Sequence, residues 1–521
     1  HQWGKLNTTL RLGHDLLDRA TDEVATEGDE LNVYNLFTLA NAKIITASEY
    51  RTQYHIIGAY GEFQLNYGDA LYLTVTGRND WTSTLEKGNR SFFYPSVNLS
   101  YVFTEQMKNL PSWLSYGKLR ASLAQIGKDA DPYSTSIYFV PTGNPINGVN
   151  RWTRNNAAGV ANLRPEKTTS FEIGTDLSFL TNRLTLNFTW YRTLSKDQII
   201  PVATAPSTGF TSITLNAGEI RNSGVELTLQ ATPVQQARFK WETDLNLSHN
   251  QNKILSIYPG LQRIEVGSQF GYAGATVTMY YVPGGSAGDL YGTHWLRYYP
   301  DGKQAPTHVD KKAPLVIGSN GFPVRAPAND QQILGNSYPK WIAGWNNAFT
   351  YQNWTLSFLW DAHLDVQKYD QLNNFMAAFG IADYTANRNE TIIFPGVHAD
   401  GTPNTTPVWL GQGVGPDGKN YGAGYYRNYY RGVSENFVED ASWIRLRTLS
   451  IAYQLPTAWL KRSFIKQINL GLSGYNLLLF TPYKGFDPES SSAPAGSNAN
   501  GFAGFTYPAI RSYMAFLHVS F

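Results

Sequence analysis

An all-β fold, a transmembrane antiparallel β-barrel with long extracellular loops, is predicted by three features of the sequence. Apolar and polar residues alternate with a period of two along many segments, as strands with one apolar face require. Charged residues occupy only 16% of the 521 positions, whereas soluble domains have about 25%. The segments between the alternating stretches are short and long in turn, which is typical of bacterial outer-membrane barrels.

The alternation predicts about fourteen strands. Leu184, Leu186, Phe188 and Trp190, for example, alternate with Thr185, Asn187, Thr189 and Tyr191. The strands are expected near 4–12, 54–66, 71–79, 93–103, 113–126, 168–180, 183–197, 223–232, 238–254, 341–352, 353–366, 442–455, 466–479 and 510–521. In "SWIRLRTLSIAYQL" the apolar parity changes between Leu446 and Leu449, which predicts a β-bulge there.

The connections between these strands alternate in length. Long connections are expected near 13–53, 127–167, 198–222, 255–340, 367–441 and 480–509. If the C-terminus is periplasmic, all of them lie on the extracellular side. A soluble all-β protein with half-buried strands also alternates, but it has no reason to place its long loops at every second connection.

Composition excludes several classes of function. There is no cysteine, which excludes disulfides, thiol catalysis and cysteine-bound metals. The formal charge of +2 gives no electrostatic case for nucleic acid. No apolar run reaches the length of about 18 residues that a transmembrane helix needs. The histidines lack zinc spacing, "GVGPDGKN" lacks the ending of a P-loop, and no paired carboxylates stand out, so neither an enzyme, a metal nor a cofactor is predicted.

Several motifs occur together in order along the chain. They include "LRPEKTTSFEIGTDLSFLTNRLTLNFTWYRTLSKDQII" (163–200), "ENFVEDASWIRLRTLSIAYQLP" (435–456) and "YNLLLFTPYKGFDPES" (475–490). This series resembles the SusC/RagA-type TonB-dependent outer-membrane transporters of Bacteroidetes, and the resemblance covers nearly all of the chain. Members of that family are about twice as long, and their N-terminal domain, TonB box and plug have no counterpart in these 521 residues.

The resemblance implies the C-terminal part of a 22-stranded multi-pass barrel in the outer membrane. It implies TonB-energised uptake of oligosaccharides or peptides, with the TonB complex acting through the plug. The implied partners are a SusD-like surface lipoprotein, outer-membrane lipid and a second copy in a dimer of SusC–SusD pairs. Two other readings stay open: a structural or assembly barrel in a larger surface or secretion complex, and a soluble carbohydrate-binding β-protein.

Aromatic residues in two long loops are the candidate ligand-binding residues. They are Trp295, Tyr298, Tyr299, Tyr425, Tyr426, Tyr429 and Tyr430, with Arg427 and Arg431 beside them. Aromatic faces stack on sugar rings and peptide side chains, and guanidinium groups offer planar donors. The alternative is that these residues pack the loops together, form an aromatic girdle or contact a partner. At the C-terminus, Phe521 resembles the aromatic end that outer-membrane proteins present to their assembly machinery.

Overall fold

The computed structural model describes residues 1–142, 146–300, 307–461, 463–494 and 497–521, and one large antiparallel sheet dominates it. Fourteen long strands build the sheet: β1 (Leu6–Leu31), β2 (Ala42–Tyr67), β3 (Leu71–Thr82), β4 (Ser91–Val102), β5 (Leu114–Lys128), β6 (Glu166–Phe179), β7 (Leu184–Lys196), β8 (Gly218–Gln235), β9 (Phe239–Ile257), β10 (Trp341–Tyr351), β11 (Trp354–Leu364), β12 (Trp443–Gln454), β13 (Gln467–Phe480) and β14 (Ser512–Ser520). Each overlaps one of the predicted strands. No described helix is long and apolar enough to cross a membrane.

Each long strand pairs with the next one along the chain, so the sheet is a simple meander. A two-residue strand, Gln2–Trp3, lies beside the start of β1. Beyond it, among the described residues, the outer edge of β1 and the outer edge of β14 have no strand partner. The sheet is therefore an open wall with two edges.

The two faces of the sheet differ in polarity, as the alternation predicts. One cross-strand row is apolar and runs over Leu10, Phe63, Val75, Val97, Leu123 and Phe171. The next row on the same strands is largely polar and runs over Arg11, Glu62, Thr76, Ser96, Ala124 and Ser170. Period two thus puts one face of the wall in reach of lipid and the other in reach of water.

The bulge predicted in 442–455 is confirmed. The register of β12 shifts between Leu446 and Thr448 against both neighbouring strands, which leaves Arg447 unpaired in the ladder. A bulge adds one residue to a strand, so the side chains beyond it change face. Arg445 and Arg447 both lie on the polar side, where Arg447 contacts Asp361, and the bulge moves the apolar parity from Leu446 to Leu449.

The predicted loop near 13–53 is wrong. The register of β1 and β2 runs from Leu6 opposite Tyr67 to Leu31 opposite Ala42, so most of this segment is strand. β3 pairs with β2 only from Ile56, which leaves 18–31 and 42–55 as a two-stranded ribbon. Both faces of that ribbon are exposed to solvent, and residues there need no apolar parity. The pattern that identifies a half-buried strand is therefore absent.

The other long connections contain small elements of their own. Their strands are Phe139–Pro141, Trp152–Arg154, Ala157–Ala158, Ile199–Ala203, Ser212–Asn216, Ile264–Gln269, Val277–Tyr281, Asp289–Gly292, Gln332–Asn336, Gln367–Tyr369, Thr391–Ile392, Val408–Trp409 and Val438–Asp440. The described α-helices are α1 (Gln371–Phe379) and α2 (Gly424–Asn428) in these connections, and α3 (Thr457–Leu460) in the short connection between β12 and β13. Short 3-10 turns in these connections lie at Pro206–Thr208, Tyr272–Gly274, Asp383–Asn389, Tyr430–Gly432 and Ser434–Phe437. Two more lie elsewhere: Leu39–Asn41 between β1 and β2, and Phe103–Gln106 between β4 and β5.

Three of the long connections, 255–340, 367–441 and 480–509, pack into one unit that we call the loop body. Its largest core contains Met279 and Leu290 from the first, Tyr369 and Phe437 from the second and Phe502 from the third. Loops of this length need such a core, because buried backbone groups must be paired and apolar contacts must hold the chain in place. The loop body therefore has a fixed shape on which a site can be built.

The assignment of one face of the sheet to lipid and the other to water can be tested on β8. Leu227 lies on the apolar face between Phe188 and Leu247, and its neighbour Thr228 lies on the polar face between Asn187 and Asn246. We expect Leu227→Arg to destabilise the folded barrel by about 2–4 kcal/mol, because a charge near the bilayer middle is poorly solvated. Thr228→Arg is the matched control and should fold normally. Heat-dependent gel mobility and urea titration in vesicles measure the difference, and equal behaviour of the two variants would contradict this orientation.

Candidate functional site

An ion-pair network at the rim of the wall joins the sheet to the loop body. Arg445 donates from Nη2 to Asp487 Oδ1 at 2.7 Å, and both side chains are almost fully buried. Arg447 bridges Asp361 of β11 at 2.8 Å and Glu489 at 2.7 Å. The motifs "RLR" and "DPE", which are far apart in sequence, thus form a single cluster. Removing one partner from a buried pair costs more than an exposed pair contributes, so this cluster fixes the last long loop.

Asp487 is the most heavily hydrogen-bonded carboxylate of this network. Besides Arg445, it accepts from the backbone N–H groups of Glu489 at 2.9 Å and Ala509 at 3.0 Å. Burial alone would raise the pKa of Asp487, but these hydrogen bonds and the guanidinium charge lower it below its ordinary value. The carboxylate is therefore ionised in the folded protein at neutral pH.

A second buried pair lies inside the loop body, where Trp295 was predicted to bind ligand. Glu435 forms an ion pair with Arg297 and accepts from the Trp295 backbone N–H at 2.9 Å. The indole Nε1 of Trp295 donates to Asn436 Oδ1 at 2.9 Å, and the side chain is buried. Trp295 thus joins the 255–340 and 367–441 connections, in agreement with the packing alternative.

The tyrosines of 425–430 come together around α2. Tyr425 is buried, with its ring 6.0 Å from that of Phe322 and 4.8 Å from that of Phe394. Tyr430 packs edge-on against Phe437 at 5.5 Å, and burial raises its pKa to about 12. Tyr426 donates its hydroxyl to backbone and amide oxygens of 384–387. These three rings form part of the core of the loop body.

Tyr429, another of the predicted residues, lines a cavity. Its ring stacks on Phe322 with centroids 4.4 Å apart, and Asn320 Nδ2 donates to its hydroxyl at 3.1 Å. A cavity of about 520 Å³ lies beside it. We call this cavity the amide cleft, after the polar residues that line it: Asn320, Asn420, Asn428, Lys419, Tyr421 and Tyr429.

The amide cleft retains hydrogen-bonding capacity. Asn428 Nδ2 donates to the Tyr421 carbonyl at 3.2 Å, and Asn420 Oδ1 accepts from the Gly422 N–H at 2.9 Å. Within the described ranges, Asn428 Oδ1 and Asn420 Nδ2 have no hydrogen-bond partner in the protein. An acceptor, a donor and aromatic rings in one cavity suit a ligand rich in hydroxyl or amide groups. Isolated asparagines have no characteristic spacing, so no sequence pattern could have identified them.

The remaining predicted residues are dispersed. Tyr298 is half-buried beside Gly401, and burial raises the pKa of Tyr299. Arg431 lies over the Tyr272 ring at 4.9 Å, whereas Arg427 is exposed. Phe521 follows the last residue of β14 and stacks on Phe464 at 5.6 Å. In the described part of the chain, no three His, Asp or Glu side chains converge as a metal site requires.

A second cavity, of about 580 Å³, lies against the polar face of the first strands. Arg11, Tyr60, Glu62, Arg78 and Tyr94 are among its lining residues. Arg78 is held by Asp15 at 3.0 Å and by Asp80 at 2.8 Å. The polar face therefore presents charged groups in fixed positions, as a lumen wall does.

Comparisons with known proteins agree with this architecture. Residues 2–477 match the family described as TonB dependent receptor-like, beta-barrel. TonB-dependent receptor P3 of Formosa agariphila is 25% identical over 544 residues, which cover 100% of this chain and 51% of the relative. SusC of Bacteroides thetaiotaomicron is 24% identical over 501 residues, covering 92% of this chain and 45% of SusC.

Solved structures show the same fold. The RagAB peptide transporter superposes with a TM-score of 0.75 and 19% identity, over 99% of this chain and 54% of that chain. A closed form of the RagAB peptide importer gives a TM-score of 0.73 at 20% identity over 100% of this chain and 54% of that chain. The chain spans about half the length of the curated relatives it matches.

The rim network predicts a large effect of a single substitution. Arg445→Met should lower the local opening free energy around Ala509 by about 3–5 kcal/mol, because Asp487 would stay buried without its cation. Adding Asp487→Asn should recover part of the loss, since the buried charge is then gone. Lys340→Met is the control: it removes an exposed pair with Asp365 at 2.6 Å, worth about 1 kcal/mol at most. Hydrogen exchange at Ala509 measures the effect, and no difference from the control would contradict it.

The network also predicts acid sensitivity. Because the folded-state pKa of Asp487 is lowered, its contribution to stability is complete above the ordinary aspartate pKa of about 3.9 and is lost as the pH falls through the lower folded value. Protease cutting within 480–509 should therefore rise as the pH is lowered below about 4. Asp487→Asn should lack this pH-dependent step. The same acid profile in both proteins would assign the transition to another group.

Proposed function

Because the chain belongs to the TonB dependent receptor-like β-barrel family, and to its SusC/RagA type, we propose that it is the C-terminal part of an energised nutrient importer. Its place is the outer membrane. In this proposal the polar face of the wall lines the lumen, the long connections are extracellular, and the loop body receives the nutrient. The TonB complex acts through a plug that is not part of these 521 residues.

The open sheet supports a larger barrel. In hydrocarbon, every backbone N–H and C=O must be paired, so β1 and β14 cannot both face lipid with unpaired edges. We propose that strands outside these 521 residues complete a 22-stranded barrel. Among the described residues, the outer edge of β14 and, beyond Gln2–Trp3, the outer edge of β1 have no strand partner and can accept such strands.

The amide cleft is the observation that carries the substrate proposal. It combines the Tyr429 ring, stacked and hydrogen-bonded in place, with unused amide groups. Sugars offer both a face for stacking and hydroxyl groups for amides. We propose oligosaccharides as the substrate class, with peptides as the second candidate because a peptide backbone also pairs with amide side chains. A SusD-like surface lipoprotein is the proposed partner that delivers the substrate.

Uptake by a deletion strain tests the transport function. Radiolabelled oligosaccharides and peptides of graded length are offered to wild-type, deletion and complemented cells. Loss of one nutrient class in the deletion strain, restored on complementation, is the expected result. Unchanged uptake of every nutrient together with loss of a surface assembly would instead favour the structural barrel subunit.

Substitution of Tyr429 tests whether the amide cleft binds the substrate. Tyr429→Ala should weaken oligosaccharide binding by about 2- to 12-fold, since an aromatic stack contributes about 0.5–1.5 kcal/mol. Tyr429→Phe keeps the stack on Phe322 and should lose less. Tyr507→Ala removes a tyrosine that is 93% exposed elsewhere in the loop body and serves as the control. Calorimetry on the intact protein measures the affinities, and equal binding by Tyr429→Ala and the control would move the site out of the cleft.

A further inference from the structure

The apolar face of β7–β10 ends in a row of aromatic side chains near the long connections. Trp190 and Trp341 lie in one cross-strand row with Val225 and His249 between them, and Trp341 stacks on His249 at 4.4 Å. Both tryptophans are more than a third exposed on the wall. Tryptophan at the end of an apolar band marks the boundary between hydrocarbon and water. Residues beyond this row, toward the long connections, therefore lie at the level of the lipid headgroups.

Basic residues on the same face follow directly beyond the aromatic row. Arg192 of β7 lies one row beyond Trp190, and Arg221 of β8 and Lys253 of β9 share the next row. We call Arg192, Arg221 and Lys253 the basic patch. At about 3.4 Å per residue and a strand tilt of about 40°, the two rows lie about 5 and 10 Å above Trp190. The polar layer on each side of a bilayer is about 5–7 Å thick, so the basic patch spans it.

The charges of the basic patch are close together and have no anion within the protein. Arg221 is directly opposite Lys253, and Arg192 is its diagonal neighbour across the ladder. In the ranges that the structure describes, none of the three side chains forms a hydrogen bond or an ion pair. The carboxylate on this face nearby, Glu219, is paired with Lys196 at 2.9 Å. Like charges opposite each other destabilise a sheet, so an anion bound here would stabilise this one.

The donors of the basic patch suit phosphate. A guanidinium group binds phosphate through two parallel hydrogen bonds, and an ammonium group adds a point charge. Phosphate has three strong acceptor oxygens, one more than a carboxylate, and can accept from several cations together. Ser223 and Gln251 share the row of Arg192 and add uncharged donors beside it. Arg192, Lys253 and Gln251 are exposed, so an anion can reach them.

Position decides which phosphate compound occupies the basic patch. The nutrient passes along the polar face of the wall, whereas these side chains lie on the opposite face. A soluble protein would have to displace lipid to reach them. A free phosphate ion gains nothing from the apolar rows below, but the acyl chains of a lipid pack against Phe188 and Leu227 while its headgroup meets the cations. A lipid with phosphate in its headgroup therefore matches both parts of this surface.

We propose that the basic patch binds the phosphate groups of an anionic lipid in the outer leaflet of the outer membrane. The proposal rests on the extracellular placement of the long connections and is independent of the nutrient and of the partner protein. The bound lipid neutralises the repulsion among Arg192, Arg221 and Lys253 and holds β7–β9 at a fixed depth in the bilayer.

Binding of lipid A, which carries phosphate groups on a sugar headgroup, tests the site. Labelled lipid A is titrated into phosphatidylcholine vesicles that contain the full-length protein. Combining Arg192→Gln, Arg221→Gln and Lys253→Gln should weaken binding by about tenfold or more, because each basic residue adds to the attraction of an anionic headgroup. The control, Lys311→Gln with Lys312→Gln, removes two exposed lysines of the loop body and should bind as wild type does.

The phosphate requirement has its own arm in this titration. Lipid A from which the phosphates have been removed should bind wild type as weakly as the triple variant binds intact lipid A. Equal binding of intact lipid A by the triple variant and the control would overturn the proposal, and so would equal binding of the two lipids by wild type.

Thermal stability separates a lipid from a free ion. In vesicles of phosphatidylcholine alone, the triple variant should be at least as stable as wild type, because like-charge repulsion is gone. Lipid A should raise the midpoint of the heat-dependent gel-mobility shift for wild type and leave that of the triple variant unchanged. Inorganic phosphate should not reproduce this rise. If it does, the basic patch binds the free ion and the lipid proposal fails; an equal rise in both proteins also refutes it.

Discussion

Hydrogen bonding of the backbone between neighbouring strands is the constraint on which this structure depends. A chain that crosses hydrocarbon has no water to satisfy its N–H and C=O groups, so each strand needs a strand on both sides. Within the residues that the structure describes, the meander of fourteen strands meets that need for every long strand except the outermost two, β1 and β14. The same constraint confines irregular backbone to the ends of the strands. In the part of the chain that the structure describes, every small sheet and helix accordingly lies in a connection between long strands.

The rim network shows how the wall and the loop body are joined. In a regular strand, Arg445 and Arg447 would also share the polar face. The alternation would then continue without a break and place Thr448 on the apolar face. The bulge at Arg447 keeps both arginines on the polar side and restores Leu449 to the apolar side. One inserted residue therefore provides two cations at the rim without exposing a polar side chain to lipid. Asp487 and Glu489 then hold the last long connection against them.

Lipid and water constrain the pattern of residues along a strand differently, and this difference explains which parts of the fold were predictable from the sequence. The long strands were predictable because lipid on one side imposes a strict parity, and the bulge was visible as a break in that parity. The ribbon of 18–31 and 42–55 was not, because water on both faces imposes none. In the 425–430 segment, composition could not separate Tyr425 from Tyr429. The first is buried against Phe394 and the second borders the amide cleft, a distinction that depends on the path of distant loops.

Above the wall, the chain is stabilised in two different ways. The loop body has hydrophobic cores such as that around Met279, Tyr369 and Phe437, and buried ion pairs connect its parts. The ribbon is held mainly by ladder hydrogen bonds and exposed ion pairs, with a few side-chain hydrogen bonds at its base and at its turn. Two-stranded hairpins are marginally stable in water. Its local stability is therefore the lower of the two. The hydrogen bonds of Asn41 matter for this reason: they order the turn between the two strands of the ribbon, where the large apolar side chains are exposed and contribute little packing.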